Sequence, residues 1–158
     1  MSTTIGRKLR EQLRDVVGSD HTSVQTNDGD VSVTIDIEHC ERYAVGIQGI
    51  HVAPAAPSAD VAETAERIAQ QVDAIEQLRV IEVDRREGKA ILRSTEPEAD
   101  EGGTTYWEAT VQPRETTLNR YHKAHTEPDR QRVVEPITHR QLGELADQLA
   151  DAVRGEDA

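Results

Sequence analysis

The sequence predicts an α+β domain: a mostly antiparallel β-sheet of hairpins with three helices packed on one face, in the order α-βββ-α-βββββ-α. Three observations predict it. Val31, Val33, Ile35 and Ile37 alternate strictly with polar residues, the mark of a half-buried strand. Apolar residues recur at steps of three and four in separate segments near the start, middle and end of the chain. Between those segments the strands follow one another through short turns, which makes antiparallel neighbours rather than parallel crossovers.

The first helix is expected over residues 3–17, with Ile5, Leu9, Leu13, Val16 and Val17 on one face and Gly18 as its stop. A hairpin follows, with Thr22 to Thr26 as one arm, Asp28-Gly29 as the turn and Val31 to Ile37 as the other arm. A third strand carries Tyr43, Val45, Ile47, Ile50 and Val52, and its phase slips at Gly49, which predicts a bulge. Pro54 and Pro57 stiffen the crossing segment, because proline fits neither helix interior nor ladder. A second helix is expected over 59–77, with the stripe Val61, Ala65, Ile68, Val72 and Ile75. Hairpins around Gly88 and Pro113 come next, separated by an acidic stretch at 96–103 that reads as a mobile loop. A last strand at 130–135 leads into a helix with a capping box at Thr138 and Gln141, a staple at Ile137 and Leu142, and a stripe reaching Arg154. One domain spans 1–154, and 155–158 are expected to be a disordered tail.

The first two-thirds of this element order is similar to the type III secretion chaperone-like arrangement, in which a proline-linked helix crosses after three strands. The added C-terminal strands depart from it.

Composition speaks about surroundings. The chain of 158 residues carries 30 Asp and Glu against 18 Lys and Arg, a formal net charge of −12, and has no Phe. Only three of the 18 basic residues are Lys. In composition this resembles a cytosolic protein of a salt-in halophile, whose repelling carboxylates are screened in molar salt over a Debye length of about 3 Å. Such an acidic surface disfavours broad contact with nucleic acid or anionic membranes. The lone Cys40 leaves no partner for an internal disulfide. Residues Met1 to Arg14 lack the apolar core of a signal peptide, and no apolar run approaches the roughly 18 residues of a membrane span. The expected location is the cytoplasm.

Few residues invite chemistry. His39 and Cys40 adjoin each other, and His122 and His125 stand three apart, so the four could gather around zinc if the fold brought them together. Strand residues three apart point to opposite faces, however, and Glu38 and Glu41 would raise the Cys40 thiol pKa rather than activate it. The stretch from Thr110 to Arg140 departs from the acidic pattern, with six basic against four acidic residues. Its Arg114, Arg120, Tyr121, Lys123, Arg130 and Arg132, with Trp107 just upstream, are candidates for binding a partner, RNA or another anion. The plainer expectation is that these arginines sit on outer strands and pair with carboxylates, while Trp107 anchors the core.

No catalytic or cofactor signature stands in the chain. The first expectation is therefore a small non-enzymatic module that binds a protein partner or a second copy of itself as a homodimer. The alternatives are a metal-binding protein or enzyme using Cys40 and the histidines, and an RNA- or anion-binding module using residues 114–140.

Overall fold

The stripe at Ile5, Leu9 and Leu13 becomes helix α1 (Thr4–Asp15), with each of those side chains at most 1% exposed. The computed structural model describes residues 4–155. Within them, the strict alternation after the Asp28-Gly29 turn gives the first hairpin, β1 (Asp20–Asn27) and β2 (Val31–Cys40). Gly29 has φ +104°, the left-handed geometry such a turn requires. Strand β3 (Ala44–Pro54) pairs with β2, and the ladder slips at Gln48 and at Glu38, which is the irregularity expected beside Gly49.

Helix α2 (Val61–Gln71) is capped by Asp60, whose side chain accepts from the backbone N–H groups of Ala62 and Glu63. It is shorter than the stripe implied, and Ile75 lies beyond its end. The cause is tertiary. The side-chain oxygen of Gln148 accepts from the backbone N–H groups of Asp73 and Ala74, and Gln141 donates to the Ala74 carbonyl. Those polar groups find partners on the last helix instead of in a further turn of their own.

Five further strands complete the C-terminal hairpins and their additions: β4 (Leu78–Asp84), β5 (Lys89–Ser94), the two-residue β6 (Glu98–Ala99), β7 (Gly103–Val111) and β8 (Thr116–Ala124). The stretch read as a mobile loop is therefore partly built. Glu98 and Ala99 pair with Thr105 and Thr104, and the Asp100 side chain accepts from Gly102 N and Gly103 N. The last expected strand divides into β9 (Gln131–Arg132) and β10 (Glu135–Thr138). Helix α3 (His139–Arg154) starts at the expected Thr138 cap, whose Oγ accepts from Gln141 N at 3.0 Å. The reciprocal half of the capping box is absent, because the Gln141 side chain is taken by Ala74. Gly155, expected to begin a disordered tail, is the left-handed cap of this helix at φ +89°. Residues 156–158 of that tail, and residue 3 at the start of the first expected helix, lie outside the described residues.

The strands form one sheet in the order β1-β2-β3-β8-β7-β5-β4, antiparallel throughout. This is the α+β class and element order the sequence predicts, with helices on one side. Strands β3 and β8 touch only through Ile50–Val52 and Thr116–Leu118, then splay. Residues 131–138 fill the fork, with β9 on β8 and β10 on β3. Side chains of Ile35, Ile50, Leu92, Leu118, Leu142 and Leu149 are all at most 1% exposed and belong to one cluster between sheet and helices. Helices α1 and α3 cross closely at Gly6, where a Cβ would come within 2.6 Å of the Gly143 carbonyl. That contact sets α1 beside the start of α3.

Candidate functional site

Of the basic stretch singled out in the sequence, only Arg120 turns inward; the other basic residues are half-buried or exposed. Arg120 lies on the helix-covered face of β8 and is 4% exposed. Its nitrogens stand 3.1 Å from Glu76, 3.1 Å from Glu135 and 3.4 Å from Glu98, and its guanidinium lies 5.3 Å from the centre of the Trp107 ring. Trp107 itself is 3% exposed, in the core. Burial pushes the Glu135 carboxyl above its ordinary range; Arg120 draws it down, but the nearby Glu98 and Glu76 add to the rise.

On the opposite face of the sheet, Arg130 grips both oxygens of Glu108 at 2.8 and 2.7 Å, and Arg93 adds a third bond at 2.7 Å. Burial alone would raise the Glu108 carboxyl, but these hydrogen bonds outweigh it and hold the group below its ordinary range. The Arg130 guanidinium also covers the Tyr121 ring at 3.8 Å. Arg132 donates to the Gln48 carbonyl beside a cleft of about 190 Å³, and Lys123 donates to the Ala124 and Glu127 carbonyls. Arg114 is exposed in the turn between β7 and β8.

The histidine and cysteine candidates go to separate places. His39 contacts Asp20 and Glu41 at the exposed end of β2, and its pKa is raised, first by the Asp20 hydrogen bond. His122 hydrogen-bonds Thr105, and His125 reaches the Asp100 carbonyl. Cys40 is fully buried, and burial pushes its thiol pKa up. Its closest histidine contact is none of those expected: Sγ lies 3.7 Å from Nε2 of His139. Among the described residues, no three His, Cys, Asp or Glu side chains form a group able to hold a metal ion.

Another set of residues does converge. Arg10 and Arg14 on α1, Arg42 and Tyr43 in the turn between β2 and β3, and Thr138, His139 and Arg140 at the start of α3 line a groove of about 400 Å³. Each element is held there by a specific contact. Cys40 donates to the Leu13 carbonyl at 3.6 Å, tying the end of β2 to the last turn of α1. The His139 backbone N–H donates to the Tyr43 carbonyl at 2.9 Å, tying α3 to the turn. The Gly6 crossing holds α1 against α3, and the Arg10 side chain occupies the space that a Cβ on Gly143 would need, 3.0 Å from it.

Electrostatically the groove inverts the rest of the molecule. Four guanidinium groups share it in a chain of net charge −12. Arg140 has one ion pair, to Glu144 at 3.6 Å and largely exposed; Arg10, Arg14 and Arg42 have none with any described residue. Arg42 instead lies 5.2 Å from the centre of the Tyr43 ring, which is 71% exposed. His139, 9% exposed, forms part of the lining. The first turn of α3 adds its dipole, although Thr138 and Tyr43 already satisfy two of its N–H groups, so the arginines supply most of the field.

The sequence did not single out this set because its members are distant in the chain. Arg10 and Arg140 stand 130 positions apart and meet only through the packing of α1 on α3. A local signal did exist: Arg7, Lys8, Arg10 and Arg14 make α1 basic within an acidic chain.

Compared with known proteins, the chain matches no family model, no curated protein and no solved structure. None of the described helices is long and apolar enough to cross a membrane.

Proposed function

We propose that this protein is a binding module whose ligand or partner presents an anionic group to the groove between α1, the β2–β3 turn and the start of α3. The observation that carries the reading is the convergence of Arg10, Arg14, Arg42 and Arg140 with a single carboxylate partner among them. Four cations lining one groove repel one another unless a counter-anion relieves the repulsion. An acidic chain could supply that anion from its own 30 carboxylates, as it does around Arg120 and Arg130. Here it leaves three guanidinium groups unpaired, in the planar fork geometry suited to phosphate or carboxylate.

Of the sequence-based readings, anion binding thus gains support, on a set of arginines that shares only Arg140 with the 114–140 stretch. A metal-using reading has little support, since His39, Cys40, His122 and His125 lie in different surroundings. Self-association has one observation in its favour: Ile81 and Val83, each 40% exposed, lie on the outer strand β4. A bulge at Ile81 and the charges of Arg79, Glu82 and Asp84 interrupt that edge, so the groove is the stronger basis for function.

The reading is tested by calorimetric titration with inorganic pyrophosphate. The protein should bind it, and Arg10→Ala with Arg14→Ala should weaken binding at least tenfold while leaving the melting temperature within a few degrees. Equal affinity of the double variant and the unaltered protein would refute the assignment.

A further inference from the structure

Resting on the reading of the groove as an anion site, we infer that its ligand is a nucleoside phosphate, with the phosphates among Arg10, Arg14 and Arg140 and the base stacked on Tyr43. Three observations narrow the ligand class. The first is Tyr43 itself. Large aromatic rings are scarce here, three Tyr and one Trp in 158 residues, and the other three are buried or half-buried in the sheet. Tyr43 alone among them stands 71% exposed, at the rim of the one arginine-lined groove described above. Arg42 lies over the ring at 5.2 Å from its centre, and the exposure of Tyr43 leaves ring surface open to a flat group. An aromatic face next to guanidinium groups is the pairing by which proteins hold a base and its phosphates together.

The second observation is size. The groove encloses about 400 Å³, within the roughly 300–1,000 Å³ of small-molecule sites, so it admits more than a bare phosphate. The third is the charge around it. Glu11, Asp15 and Glu41 adjoin Arg10, Arg14 and Arg42 in the chain, Glu144 pairs with Arg140 one helical turn on, and the molecule as a whole is at −12. A long polyanion would leave the positive groove within a few nucleotides and meet a repelling surface. The site therefore favours a short ligand over a strand of nucleic acid.

The test compares pyrophosphate, ribose 5-phosphate, ADP and a 5′-phosphorylated tetranucleotide by calorimetry at one fixed salt concentration. ADP should bind about tenfold tighter than pyrophosphate, the increment expected of one stacked base. Tyr43→Ala should remove that increment, so that the variant binds ADP no tighter than it binds pyrophosphate; Tyr43→Phe should retain it. Ribose 5-phosphate, lacking the base, should bind no better than pyrophosphate, and the tetranucleotide should bind more weakly than ADP. If ADP binds no tighter than pyrophosphate, or Tyr43→Ala weakens both equally, the nucleotide inference fails while the anion site stands. A tetranucleotide that binds tighter than ADP overturns it in favour of nucleic acid. If pyrophosphate itself does not bind, the underlying reading of the groove fails as well.

Discussion

Arginine carries most of the distinctive physics at the scale of single residues. Arg120, Arg130 and Arg10 have the same side chain and three different roles, set by which face of which element bears them. Arg130 and Arg93 hold Glu108 on the outer face of the sheet, and Glu108 is only 5% exposed. Removing its charge would leave two guanidinium groups facing each other without their shared anion. Glu108→Gln should therefore destabilise the protein by about 2–3 kcal/mol, measured by denaturant unfolding at neutral pH. The Glu108 carboxyl titrates lower when folded than when unfolded. Its contribution is thus complete above the unfolded value and is lost as pH falls through the folded one. The stability gap between the protein and Glu108→Gln should narrow on acidification. A gap that stays constant or widens below the ordinary glutamate range would contradict the ion-pair account. Glu135 shifts in the opposite direction, so the comparison with the variant, rather than the overall acid transition, isolates Glu108.

Among the secondary-structure elements, helix α3 does two jobs. Its buried stripe, Leu142, Leu145, Ala146, Leu149 and Val153, packs on the sheet and the other helices, and its first turn presents Arg140 to the groove. Thr138→Ala removes the cap and should cost about 0.5–2 kcal/mol. The same change should weaken pyrophosphate binding, because the turn bearing Arg140 frays; an unchanged unfolding midpoint would contradict the cap. This helix was legible from sequence because its signals are local, a capping residue and a 3.6-residue period, although its cap at Gly155 reads in the sequence as the start of a tail. Strand β2 was legible for the same reason, through its alternation. The end of α2 was not, because Gln148 and Gln141, about 70 residues away, decide it by bonding the backbone at 73–74. Likewise the division of the last strand follows from the fork between β3 and β8, which no residue in 130–135 encodes alone. The destinations of the basic stretch were readable only as alternatives, since sequence period does not say which carboxylates wait across the sheet.

For the molecule as a whole, a fold with a well-packed core carries a net charge of −12, and one groove of opposite sign interrupts the acidic surface. The Debye length grows from about 3 Å in molar salt to about 30 Å at 0.01 M. We expect the melting temperature to fall when salt is reduced to tens of millimolar, as the carboxylates begin to repel over the width of the domain. A melting temperature that is flat or rises on salt removal would contradict the proposed adaptation to a salt-rich interior. Screening acts on the groove as well, but in the other sense: its affinity for a soluble anion should decline as salt rises. The anion site is the central claim, and an NMR titration of the labelled protein with pyrophosphate, at the lowest salt that keeps it folded, addresses it most directly. The account predicts saturable shifts at the amides of Arg10, Arg14, Arg42, Tyr43, His139 and Arg140. Shifts concentrated at residues 114–132, or none that saturate, would contradict it.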